Sequence, residues 1–332
     1  MIIHLKKTVS QEQAIALAEN HKAFLIEEDG IQVLITGSGV KEVPADLVEF
    51  TANNWVFAND LQLASSKYKK EKRTVKIGNV TIGGTTGNTL LIAGPCSVES
   101  EEQIRQSSEL LVKNGLTTLR GGCYKPRTSP YSFQGLGLEG LRLLAKMREE
   151  FGLTVITEVR DATQIAEVIE YSDVIQVGAK AMYDQGILRA CAKTQKPILI
   201  KRGFGTTLQE FVQAAEFVLS GGNPNVVLCE RGIRTFETGT RFTLDLCGVA
   251  WLQEYTNLPI ILDPSHAMGY AYGVPVLSKA CTAMGIDGLL IEVHPDPSVA
   301  KSDASQQLDH AQFEKLLREL QPVAQSVGFT IV

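Results

Sequence analysis

The chain has 332 residues, 44% hydrophobic and 21% charged, with a formal net charge of −5. This composition supplies core for one large domain with a smaller one attached, and excludes general nucleic-acid binding, which needs a broad basic surface. No apolar run nears the roughly 20 residues that span a bilayer, and polar residues break the N-terminus MIIHLKKTVSQEQ before any signal-peptide pattern forms, so the expected location is cytoplasmic.

Residues 1–66 predict a small ferredoxin-like α+β unit of βαββαβ order. Ile2 to Leu5 reads as a strand, and Ser10 with Gln13 three residues later forms a capping-box signal for the helix that follows. Ala23 to Ile26 and Ile31 to Ile35 flank Glu-Asp-Gly as a hairpin. Pro44 opens a second helix with Leu47, Val48 and Phe50 on one side, and Trp55 to Phe57 closes the unit as a strand. Few polar groups converge here, so a regulatory or assembly role is expected. Residues 67–87 read as a linker with solvated charges over Lys67 to Lys72, then a β-hairpin turning at Gly78-Asn79.

Residues 88–332 alternate short β-rich runs with helical segments. The eight runs are Leu90–Ala93, Leu116–Leu119, Leu153–Thr157, Val174–Val177, Pro197–Ile200, Val226–Leu228, Pro259–Leu262 and Gly288–Ile291. Eight regular units predict a (β/α)8 TIM barrel, whose functional residues gather at the C-terminal ends of the strands; a doubly wound open sheet has no need of eight. Each strand end carries a polar or ionisable group, so a charged mouth is expected. The six cysteines, scattered without a CxxC pair, suit reduced thiols.

Two constellations emerge at that mouth. Cys96, His266, Glu292 and Asp303 follow strands one, seven and eight, neighbours once the barrel closes, and form a mixed S/N/O donor set that accommodates Mn, Fe, Co or Zn. Spacing leaves His294 as an alternative to Glu292. Arg120, Lys125, Lys180, Lys201 and Arg231, with Arg127 in the glycine- and proline-rich loop 120–137, concentrate positive charge that calls for a multiply charged anion. Arg202 and Arg234 are candidate partners for Glu158, Glu230 or Glu237. The GxGxxG at Gly135–Gly140 follows no strand and is rejected as a dinucleotide fingerprint.

GPCSVES at 94, RGGCYKPRTSPYSFQGLG at 120, LIKRG at 199, LCERGIRTFE at 228, LDPSHAMG at 262 and EVHPDPSVAKSD at 292 closely resemble 3-deoxy-D-arabino-heptulosonate 7-phosphate (DAHP) synthases of type I-beta. The resemblance implies condensation of phosphoenolpyruvate with erythrose 4-phosphate, the entry to aromatic amino acid biosynthesis. It implies Cys96, His266, Glu292 and Asp303 as ligands of one divalent metal, and Arg120, Lys125, Lys180, Lys201 and Arg231 as phosphoenolpyruvate contacts. It places Arg127 and Thr128 at the sugar phosphate. Lys125, between the two substrate regions, is the candidate proton donor, with a metal-bound water or His266 as the alternatives. It also implies feedback by tyrosine or phenylalanine at the N-terminal unit, and a homotetramer. Lys180 stands where relatives often have Arg, and Ala304, beside Asp303, where they usually have Gly. The competing readings are a 3-deoxy-D-manno-octulosonate 8-phosphate synthase using arabinose 5-phosphate, which Pro126-Arg127-Thr128 disfavours, and a non-catalytic phosphometabolite sensor.

Overall fold

Eight parallel strands close into a barrel in the computed structural model, which describes residues 1–125 and 129–332. The N-terminal unit precedes it with β1 (Ile2–Leu5), α1 (Gln11–Asn20), β2 (Phe24–Glu28), β3 (Ile31–Ile35) and β4 (Thr51–Trp55). These four strands form an antiparallel sheet in the order β2-β3-β1-β4, the ferredoxin-like arrangement expected. Ser10 and Gln13 make the reciprocal capping box at the start of α1. Asp29 and Gly30 both take positive φ (53° and 74°), which a two-residue hairpin turn needs.

Two details of this unit differ from the sequence reading. The second helix is a six-residue 3-10 segment, Ala45–Phe50; it buries Leu47 but leaves Val48 exposed, because three residues per turn cannot keep both on one face. The last strand lies earlier, at Thr51–Trp55, since β1 pairs with it from Leu5↔Thr51 to Ile2↔Trp55; Phe57 is core beyond the strand.

The hairpin β5 (Thr74–Ile77) and β6 (Val80–Gly83) forms as expected. The barrel strands are β7 (Asn88–Gly94), β8 (Thr118–Arg120), β9 (Thr154–Val159), β10 (Val174–Val177), β11 (Ile198–Lys201), β12 (Val226–Glu230), β13 (Ile260–Leu262) and β14 (Gly288–Glu292). They pair in sequence order, and β14 returns to pair with β7 from Gly288↔Leu90 to Glu292↔Gly94, closing the ring. The helices between and after them are α2 (Glu101–Lys113), α3 (Leu138–Phe151), α4 (Ile165–Tyr171), α5 (Gln185–Ala192), α6 (Leu208–Ser220), α7 (Leu246–Tyr255), α8 (Pro264–Met268), α9 (Val274–Ala283) and α10 (His310–Ser326). A two-residue strand absent from the sequence reading, β15 (Thr330–Ile331), pairs with the start of β7.

Strand periodicity sorts the barrel's side chains into two cores. Leu91, Ala93, Leu119, Val155, Ile175 and Ile200 face the helices. Leu90, Ile92, Ile156, Val174, Leu199, Val227, Ile261 and Leu290 fill the interior together with Val75, Ile77 and Ile82 of the hairpin. The hairpin therefore plugs the N-terminal end. Gly78 turns it at φ 57° so close to β9 that a Cβ would stand 1.9 Å from Thr154 Oγ1.

The linker is only partly solvated: Lys67 and Lys70 are exposed, but most of its charges are engaged. Lys72 Nζ lies 3.0 Å from the buried Asp287 carboxylate, Lys69 Nζ 3.3 Å from Asp29, and Lys67 Nζ donates to the Val56 carbonyl at 2.7 Å. Arg73 donates to Glu28, to Asn257 Oδ1 (3.1 Å) and to the Leu63 carbonyl (3.2 Å). Glu216, on α6, accepts the successive main-chain N–H groups of Gln62, Leu63 and Ala64 at 2.7, 3.1 and 2.8 Å. Charges that would be hydrated in a free linker instead fasten the N-terminal unit to the barrel.

Candidate active site and metal centre

The inward register that fills the barrel with Ile156, Val174, Leu199, Ile261 and Leu290 continues one step up each strand to Glu158, Gln176, Lys201, Asp263 and Glu292. Arg120 and Arg231 share that inward parity on β8 and just past β12. Glu230 has the opposite parity and lies behind the barrel wall, where Arg202 Nη1 reaches it at 2.9 Å and Asp245 at 2.8 Å. The expectation that all strand-end charges share the mouth is thus corrected: alternation sends Glu230 and Arg202 outward. Of the partners considered for Arg202, Glu230 is the one it meets; Arg234 instead lies 4.8 Å over the Phe204 ring.

Cys96, His266, Glu292 and Asp303 each offer one donor atom, all within 4.8 Å of one another. His266 Nδ1 lies 2.7 Å from Asp263 Oδ2, a close ion-pair contact off hydrogen-bond geometry, while Nε2 faces Glu292 Oε1 at 3.5 Å, so a carboxylate stands behind the imidazole, where metal-bound histidines commonly keep one. Burial, with the charge of Glu292, pushes the Cys96 thiol up to about 12, and burial lowers the His266 pKa, favouring the neutral ring that coordinates. Burial also opposes the charge on Glu292, yet His266 and Arg120 hold it below the usual range. Two of the donors are hard oxygens, one is imidazole and one sulfur, a set that fits a divalent transition metal. His294 is not part of this cluster: its Nδ1 accepts from the Asp296 N–H (3.1 Å) and its Nε2 lies 3.7 Å from Glu99.

Asp303 reaches the cluster from a left-handed backbone conformation, φ 49° and ψ 40°. Ala304 begins a 3-10 turn without positive φ, so its methyl group fits without strain; the demanding position is Asp303 itself.

Beside the cluster opens a cavity of about 510 Å3 lined by Lys125, Lys180, Lys201, Arg231, Arg234 and Arg241 against the carboxylates of Glu158 and Asp303. Lys125 Nζ donates to the Cys96 carbonyl and lies 3.1 Å from its sulfur, joining cavity and cluster. Arg231 is buried, its Nη1 has no hydrogen-bond partner among the described residues, and its guanidinium sits 4.3 Å over the Phe242 ring. Phe242 stacks on Phe204 at 5.6 Å, giving the arginines an apolar wall. A buried cation with an unused donor is costly unless an anion completes it.

Arg120 does not line this cavity. It is buried, donating to Glu292 Oε1 (2.8 Å) and the Pro95 carbonyl (2.7 Å), with Nε unpartnered among the described residues. Arg127 and Thr128 lie outside the described residues. Sequence reasoning missed Gln176, which donates to Glu158 at 2.6 Å; Arg241, which lies 3.3 Å from Asp303; and the Phe204–Phe242 wall. Strand parity was the available signal for Gln176, whereas Arg241 sits in an irregular loop that offers none.

Comparison with known proteins agrees with this geometry. Residues 65–327 match the model of the DAHP synthetase I family. A phospho-2-dehydro-3-deoxyheptonate aldolase of Thermotoga maritima is 42% identical over 270 residues, 81% of this chain and 79% of that protein. Its crystal structure, also described as a DAHP synthase, superposes with a TM-score of 0.80 at 37% identity, covering 100% of this chain and 99% of that one. A 2-dehydro-3-deoxyphosphooctonate aldolase of Bradyrhizobium diazoefficiens is 34% identical over 263 residues, 73% of this chain and 93% of that protein. Among the described residues no helix is long and apolar enough to cross a membrane. The chain belongs to the DAHP synthetase I family and is an enzyme, a transferase.

Proposed function

We propose that this member of the family condenses phosphoenolpyruvate with D-erythrose 4-phosphate and water, giving 3-deoxy-D-arabino-heptulosonate 7-phosphate and phosphate, the first step of the shikimate pathway. The observation that carries the reading is the juxtaposition of a four-donor metal cluster with a cation-lined cavity at one barrel mouth. Carbon 3 of the enolpyruvate bonds to the aldehyde carbon, water adds at carbon 2, and the phosphate leaves by C–O cleavage. Both substrates carry phosphate, so holding them together requires neutralising their mutual repulsion, which is the task assigned to the cavity's cations.

In this reading Lys180, Lys201 and Arg231 hold the enolpyruvate phosphate, Arg120 supports that site, and Arg127 and Thr128 take the sugar phosphate. Lys125 delivers the proton to the new hydroxyl oxygen, with His266 as the alternative donor. A divalent ion (Mn, Fe, Co or Zn) held by Cys96, His266, Glu292 and Asp303 would supply Lewis acidity toward the aldehyde oxygen. Residues 1–66 are assigned a regulatory role with tyrosine or phenylalanine as inhibitor, 67–87 the connection, and 88–332 catalysis, in a homotetramer.

A phosphate-release assay with phosphoenolpyruvate and each aldose tests the reading. Turnover with erythrose 4-phosphate is expected. Preference for arabinose 5-phosphate, the substrate of the octulosonate reading, would overturn the choice of aldose, and no release from either would overturn the reaction.

A further inference from the structure

We propose that Asp263 couples metal binding to anion binding: its single buried carboxylate both orients His266 in the metal cluster and holds the Lys201 ammonium in the anion cavity. This inference rests on the function proposed above and adds a positioning residue to it.

Asp263 is fully buried just past β13. Its Oδ1 accepts the main-chain N–H of His266 at 2.9 Å, capping the short helix α8. Its Oδ2 accepts from Lys201 Nζ at 2.5 Å and lies in ion-pair contact with His266 Nδ1 at 2.7 Å, off the line of an N–H···O hydrogen bond. Lys201 arrives from β11, two strands away in the ring, and Asp263 is the carboxylate it meets. One oxygen therefore serves two competing claims.

The competition has a direction. A cation on the far side of the His266 ring makes the ring face toward Asp263 more positive and draws Oδ2 toward it, away from Lys201. The Lys201 charge is then less neutralised and better able to hold an anion. Conversely, an anion that draws the Lys201 ammonium toward itself returns Oδ2 to His266 and makes the imidazole a better ligand. Such coupling is reciprocal in binding free energy by necessity.

A purely structural role is the alternative, since Asp263 is also a helix cap. Asparagine caps helices about as well as aspartate, so Asp263→Asn preserves the cap while removing the charge and the shared acceptor.

The experiment titrates metal-depleted full-length protein with Mn2+ by chelator competition, with and without phosphoenolpyruvate. In the wild type, phosphoenolpyruvate should tighten Mn2+ binding by about tenfold. Asp263→Asn should weaken Mn2+ binding by about 10- to 100-fold and abolish the effect of phosphoenolpyruvate, with a circular dichroism spectrum like the wild type's. Lys201→Met, with folding checked by the same spectrum, should tighten Mn2+ binding several-fold and also lose the effect. Lys180→Met, which removes a cavity cation other than the one that Asp263 holds, should retain it. Coupling that survives in Asp263→Asn or Lys201→Met, or is lost equally in Lys180→Met, would overturn the inference alone. Wild-type protein that binds Mn2+ but not phosphoenolpyruvate would overturn the proposed function and this inference with it.

Discussion

The barrel carries two buried ionic networks, one at its mouth and one along the seam with the N-terminal unit, and they are built to different standards. At the seam, Arg73 spends Nε, Nη1 and Nη2 on Asn257, Glu28 and the Leu63 carbonyl, and both oxygens of Glu216 are taken by main-chain amides. At the mouth, Arg120 Nε and Arg231 Nη1 are buried without partners among the described residues. At the seam the chain itself completes the charge, whereas at the mouth donors are held in reserve for a ligand. An unused donor is not by itself a mark of function, since Arg202 Nε behind the barrel wall is also buried without a partner among the described residues.

Substitutions on the two sides should therefore fail in different ways. The largest effect is expected from Cys96→Ala, which removes one of four cluster donors. Metal content should fall from one ion per chain toward zero, and turnover by about a thousandfold, the scale of several kcal/mol of lost charge stabilisation; full metal content with normal turnover would remove Cys96 from the centre. Arg231→Met should raise the KM for phosphoenolpyruvate about 10- to 100-fold, the loss of one or two charged hydrogen bonds, with little loss of thermal stability because the protein contact given up is the Phe242 ring face and not a paired carboxylate.

Arg73→Met should do the reverse. It strands Glu28, so the unfolding free energy should drop by about 2–3 kcal/mol while the KM values hold; a shifted KM with unchanged stability would erase the distinction between the networks. The smallest effect concerns pH. Burial raises the Glu216 carboxyl from 4.5 to about 7 although three amides favour its anion. A folded-state pKa above the unfolded one means that the folded chain binds this proton more tightly. The stabilisation is then full below pH 4.5 and is lost as pH rises through about 7. Between pH 5 and 8 the wild type should lose on the order of 1 kcal/mol from this group, and Glu216→Gln should flatten that part of the unfolding profile.

The barrel was largely legible because its strands are short Val/Ile/Leu runs separated by helix-sized intervals; Val174–Val177 coincides with β10, and the other runs fall within a few residues of theirs. The four metal-site candidates were legible for the same reason, since each follows a recognisable strand and ring closure brings them together. What escaped the sequence was non-local. Lys72 reads as a hydrated linker charge until Asp287, more than two hundred positions away, is folded against it. Asp263 was visible as a strand-end acid, but its double engagement depends on β11 lying two strands away. The outward turn of Glu230 was hidden because the expected strand, Val226–Leu228, stopped two residues short of it, so the alternation of faces was not carried on to Glu230.

Glu216 grips residues 62–64 through their main-chain N–H groups, not their side chains. Its half of the joint depends on one side chain, while the other half is generic peptide. Almost any sequence without proline at those three positions can supply it. Seen as a socket, the carboxylate on α6 makes the barrel a host onto which an unrelated module could be spliced, provided that its tail presents three consecutive amides at that point.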